Sequence, residues 1–158
     1  KIKGNVYLGS IDFTFKRYNW VARGNVDYGY VSHAKEISQL TYPNVQYVKP
    51  YESGNGKYFG SHAMAMMLEV GYDVFSQIKS LRADNQKLYV FGHIENYDSY
   101  IHAATKKWTN KTIYAAGLNY YPIPQIAIKA EYNYRKLKSG YNNEPAINIG
   151  VAYEGFFL

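Results

Sequence analysis

Apolar and polar residues alternate one by one along most of this chain, in runs most of which have about 10–14 residues. That period belongs to a β-strand, whose successive side chains point to opposite faces, and not to a helix, whose faces repeat every turn. Seven such runs can be marked: Asn5–Arg17, Trp20–Ser32, His62–Phe75, Leu88–Glu95, Ile113–Tyr120, Ile126–Arg135 and Ile147–Phe157. In the third, Met64, Met66, Leu68, Val70, Tyr72 and Val74 share one face, and Ala63, Ala65, Met67, Glu69, Gly71 and Asp73 share the other. Strands of globular proteins are usually about 5–6 residues long, whereas a strand crossing a bilayer at about 45° needs about 9–11. The run lengths therefore predict an all-β fold. The expected form is an antiparallel transmembrane β-barrel, with about seven of its strands here.

Alternation also describes soluble barrels and sandwiches, in which the apolar parity is the core. Composition separates the two. The apolar faces mix glycine and alanine with large aromatics, and tyrosine or tryptophan stands near their ends: Trp20 at one end of its run, Tyr28 and Tyr30 at the other, with Tyr120, Tyr132 and Tyr134 elsewhere. Aromatic girdles at both edges of an apolar band are a property of membrane barrels, where a ring meets both acyl chain and headgroup. The 19 tyrosines supply most of the aromatic content. A mean hydropathy of -0.42 and the lack of any continuous apolar stretch of about 20 residues exclude a helical membrane protein but not a barrel. The absence of cysteine excludes a disulfide scaffold, a Cys-ligated zinc and a thiol nucleophile.

The connections differ in length. Lys16–Asn19 and Tyr121–Gln125 read as tight turns, the second stiffened by Pro122 and Pro124. His33–Gly60 is long. It is a solvated loop or a segment folded into a lumen, and Thr41–Val48 within it offers a candidate eighth strand. Tyr97–Lys107 and Leu137–Glu144 are of medium length, and Ser76–Gln86 has room for a helical turn over Ser76–Arg82. Barrels of the outer membrane have short periplasmic turns and longer outer loops, a pattern from which Ser76–Gln86 departs.

The segment Gly117-Leu118-Asn119-Tyr120-Tyr121-Pro122, followed after a short turn by Ile126-Ala127-Ile128-Lys129-Ala130-Glu131-Tyr132, resembles the penultimate hairpin of the phosphate-selective porin family and its relatives. Gly92–Asp98 resembles the strand end before it, with His93 where arginine is more usual. Asn148–Leu158 resembles the C-terminal strand that outer-membrane barrels present to their assembly machinery, although Gly155 stands where an apolar residue is usual. The resemblance covers about Leu88–Leu158. It implies a homotrimeric, roughly 16-stranded diffusion porin of the outer membrane of a Gram-negative bacterium.

Strand direction adds an expectation about the chain. With a periplasmic C-terminus, seven antiparallel strands place Lys1 on the outer side, whereas a barrel with an even strand number has both ends in the periplasm. Residues 1–158 then form the C-terminal part of one larger barrel domain. A complete small eight-stranded barrel is the alternative.

On this reading Arg23, Asp27, Glu69, Asp73, His93, Glu95, Lys129, Glu131 and Arg135 line the pore. The polar parities carry four cations, with Lys16 added, against seven carboxylates that include Asp12 and Glu154, although the whole chain is +6. The positive excess sits in loops, at Lys106, Lys107, Lys111, Lys136 and Lys138. Since rings of one sign set ion selectivity, this wall does not read as an anion filter. No catalytic set, metal site or cofactor is expected. The four histidines lack ligand spacing, and Ser32-His33 and Ser61-His62, as neighbours on a strand, would point apart. No basic, aromatic-interleaved face for nucleic acid is present. The expected function is a water-filled channel for passive diffusion of small polar or ionic solutes, with outer-membrane lipids and the assembly machinery as partners. A plugged barrel serving as a structural subunit, or a soluble ligand-binding barrel, would use the same strands differently.

Overall fold

The computed structural model describes residues 3–41, 60–101, 109–137 and 143–154. They form one antiparallel sheet of seven strands in sequence order, each paired with the next. The strands are β1 (Val6–Arg17), β2 (Trp20–Val31), β3 (His62–Asp73), β4 (Lys87–Ile101), β5 (Asn110–Ile123), β6 (Ile126–Leu137) and β7 (Glu144–Tyr153). Six of the seven have 12 residues or more, twice the usual globular length. The candidate strand in Thr41–Val48 and the terminal Gly155–Leu158 lie almost wholly outside the described residues.

The turns follow their residues. β1 and β2 are joined by Tyr18-Asn19 alone, and both have left-handed backbone, with φ of 48° and 67°. Two left-handed residues make the turn whose twist matches that of paired strands, and asparagine tolerates this conformation well. β5 and β6 are joined by Pro124-Gln125, and their register shifts between Tyr120 and Ile123. Pro122 lies in that gap and has no N–H to give the ladder, so pairing slips there.

Helical pieces occupy two connections. Helix α1 (Ala34–Thr41) opens the long β2–β3 connection, where a loop was expected. The β3–β4 connection contains a 3-10 turn, Val74–Gln77, and a short helix α2, Lys79–Ala83, as the spacing suggested, although Val74 leaves the strand to begin the turn. β4 runs on to Ile101, past the point where a loop was expected at Tyr97, because Asn96, Tyr97 and Asp98 keep pairing with Thr112, Lys111 and Asn110.

The sheet is a single layer with an inverted distribution of burial. On the apolar parity Leu68, Val90, Ile94 and Leu118 are exposed, at 43–46%. On the polar parity Glu69, Asp73, Phe91 and Ala115 are buried, all at 9% or less. No second layer packs on these strands among the described residues, so the sheet itself shelters the polar side by curving toward it. Ordinary folding buries the apolar side.

Candidate functional site

The concave face is assembled by register. One row crosses the sheet as Thr14–Arg23–Glu69–His93–Ala115–Asn133–Ala146. The next, toward the long connections, is Asp12–Asn25–Met67–Glu95–Ile113–Arg135–Glu144. All nine sequence-predicted residues stand on this face.

Four of them form one charged cluster. Arg23 donates from Nε to Glu69 Oε1 at 2.8 Å, and its Nη2 lies 2.6 Å from the same oxygen. His93 stands between two carboxylates, with Nδ1 3.8 Å from Glu69 Oε2 and Nε2 3.7 Å from Glu95 Oε2. Neither histidine contact is short enough for a hydrogen bond.

The remaining five are dispersed. Lys129 Nζ lies 2.8 Å from Glu131 Oε2, and the Glu131 carboxylate also accepts from Asn133 and Asn148. Arg135 pairs with Glu144 across β6 and β7. Asp27 accepts from Ser10 Oγ at 2.5 Å and from Asn25 Nδ2 at 2.6 Å. Asp73 is occupied by the backbone: Oδ1 accepts from Phe75 N at 3.2 Å and Leu88 N at 3.1 Å, fastening the start of the 3-10 turn to the start of β4. It is a capping residue more than a free charge on the wall.

A trough of about 540 Å³ opens on this face at the end carrying the short turns, with Lys16, Arg23, Glu69, Lys87, Tyr89 and Tyr121 in its lining. Lys16 and Lys87 form no ion pair with a described residue. Lys16, Arg23 and Lys87 thus stand toward the short-turn end, together with Asp73 and Glu131, and Asp12, Asp27, Glu95 and Glu144 lie toward the other end with Arg135.

Sequence reading missed Glu144 and Lys87 as members of this face, and it placed Phe91 there by parity with His93 but not its contacts. Glu144 fell in a segment read as a connection, and Lys87 stands just before the run that was read from Leu88. Phe91 sits between Gly71 and Gly117 across the strands, with Lys129 Nζ 4.9 Å from its ring centre, a cation–π pair that only the register reveals.

Other chemistry is sparse. Ser32 and His33 lie in the turn after β2 and not on a strand, which brings Ser32 Oγ within 3.4 Å of His33 Nδ1. Ser32 Oγ also accepts from Asn5 N at 2.8 Å, fixing the turn against β1. No group of three or more His, Asp or Glu suited to a metal ion occurs among the described residues.

The convex face carries an aromatic border on both sides of its apolar band. Tyr7 stacks on Tyr30, and Tyr30 packs on His62, toward the long connections. Trp20 packs on Tyr72 with ring centres 4.8 Å apart at the short-turn end. On β4 and β5 the band stops at the Ile94–Tyr114 pair. Beyond it Asn96 donates to Thr112 Oγ1, and Asp98 accepts from Thr109 and Asn110.

No family model matches the chain, and neither does any solved structure. An uncharacterized protein of Aquifex aeolicus (strain VF5) is similar to it, 27% identical over 146 residues that cover 89% of this chain and 31% of the relative. The chain spans about a third of the length of that relative.

Proposed function

We propose that this sheet is a wall segment of an outer-membrane β-barrel whose lumen passes small polar or ionic solutes by passive diffusion. The observation that carries the reading is the inverted burial: side chains such as Leu68, Ile94 and Leu118 are exposed on the convex face while Glu69 is buried on the concave one. In water, an apolar surface spanning seven strands would be an aggregation site. In lipid it is the required surface, and the polar face becomes the lining of an aqueous lumen.

Dimensions agree. The band runs along β2 from Trp20 to Tyr30. Ten steps of about 3.3 Å give about 33 Å along the strand, or about 23 Å of membrane depth at a tilt of about 45°. Outer-membrane barrels carry an apolar band about 25 Å tall. β1 and β7 have no outer partner among the described residues, so closure in lipid requires further strands against both. A larger barrel of roughly 16 strands would supply them.

The test is conductance of the full-length protein in planar bilayers. Discrete channel steps are expected. A folded, heat-modifiable barrel that stays electrically silent would instead assign it a plugged, structural role, and a chain extracted without detergent would overturn the membrane reading.

A further inference from the structure

The β3–β4 connection is too long for a periplasmic turn, and the diffusion channel has no use for it. Its position supplies one. Both of its ends are held on the lumen side by Asp73, and both are tied to the convex face as well. Phe75 packs edge-on against Tyr120 with ring centres 6.0 Å apart, and Gln77 donates to the Tyr72 hydroxyl. At the other end, Gln86 Oε1 accepts from the Tyr120 hydroxyl at 2.8 Å. Tyr72 and Tyr120 both belong to the apolar parity and stand at its short-turn border.

Between these ties the segment is open. Ile78 is 46% exposed, an apolar side chain with no core to enter. Lys79, Ser80 and Arg82 of α2 are exposed beside it. Arg17 lies on the same border, opposite Trp20, with its guanidinium on the Tyr18 ring. Asp84 is the acidic side chain in this connection. Three cations, one carboxylate, an exposed isoleucine and a row of aromatic rings thus meet at the level where a membrane band ends.

Resting on the barrel reading above, we propose that this connection is an interfacial anchor. The 3-10 turn and α2 lie in the headgroup layer, Ile78 enters the acyl boundary, and Lys79, Arg82 and Arg17 bind the phosphates of anionic phospholipids. Amphipathic segments that carry Lys or Arg beside apolar side chains bind the interface in this way, and each cation near an anionic surface strengthens the attraction about fivefold. Gln77 and Gln86 hold the segment against the barrel so that little ordering is needed on contact.

The test uses the full-length protein with Ile78→Cys labelled by an environment-sensitive fluorophore, an option helped by the absence of cysteine in this chain. It is inserted into vesicles of phosphatidylcholine alone or with phosphatidylglycerol, and insertion is scored by heat-modifiable migration. The label should emit to the blue and resist iodide quenching in both. Brominated phosphatidylglycerol should quench it more than brominated phosphatidylcholine. Lys79→Ser with Arg82→Ser should abolish that preference and leave insertion intact. An inserted barrel whose label is open to iodide, or whose quenching ignores the anionic lipid, overturns the anchor while the channel reading stands. A chain that does not insert overturns both.

Discussion

Phe91 lies across Gly117, its direct partner on the neighbouring strand, and a β-carbon at Gly117 would stand 2.8 Å from the ring. The ring covers backbone that the glycine leaves bare, and it is itself 4% exposed, on the face that carries the charged cluster. Gly117→Ala should therefore lower stability by about 1–3 kcal/mol, because the added methyl overpacks the site. Urea titration of the barrel folded into vesicles measures this. Phe91→Ala combined with Gly117→Ala should cost somewhat less than the sum of the two single changes, since the smaller side chain removes the clash with the ring while the one with the Ala130 carbonyl oxygen remains.

The inversion of faces makes a paired prediction on β3. Leu68 is on the convex side, midway between Met64 and Tyr72, and Met67 is on the concave side beside Glu95. Leu68→Arg should cost about 2–4 kcal/mol of folding free energy in lipid. Met67→Arg should cost much less, because it meets water and a carboxylate. Equal tolerance, measured by the same titration, would reverse the assignment of lipid and lumen.

Asp73 and Glu95 were indistinguishable in the sequence as acids on the polar parity, and the structure separates them. Asp73 is 6% exposed and accepts from two backbone N–H groups, whereas the Glu95 side chain is 35% exposed and faces His93. Asp73→Ala should destabilise the protein by about 1–2 kcal/mol, as loss of a cap does, with the reversal potential in a salt gradient unchanged. Glu95→Gln should do the opposite, shifting the reversal potential toward anions with little change in stability.

What the sequence disclosed was everything that depends on period two. Each strand shows its two faces within its own residues, so Glu69 and Leu68 could be placed on opposite sides without a structure. Properties that arise between strands were hidden. The Arg23–Glu69–His93 row unites residues up to 70 positions apart, and its alignment depends on turn lengths that no single window reports. Helix α1 was missed because its 8 residues are too few to establish a helical period. The outer half of β4 was missed because it extends beyond the apolar band, where Asn96 and Asp98 replace hydrophobic residues on the convex face. The anchor segment gave a sign, its excess length, but the tie to Tyr72 and Tyr120 needed the fold.

The final prediction concerns the two edges. β1 and β7 are each exposed along their whole length and, among the described residues, pair on one side only, so about half of their backbone N–H and C=O groups face outward. Water satisfies such groups, but hydrocarbon cannot, and each one left bare in lipid costs several kcal/mol. The convex band allows no escape, because the same strands that need lipid for Ile11 and Phe13 on β1, or Ile149 and Val151 on β7, present open edges to it. Residues 1–158 produced alone and refolded in detergent should thus give aggregates or a protease-sensitive product, while the full-length protein gives a compact, heat-modifiable band. A stable monomer of the short chain, with protected amides on both β1 and β7 in hydrogen exchange, would mean that these strands close on each other. The larger barrel would then have to be abandoned for a small one.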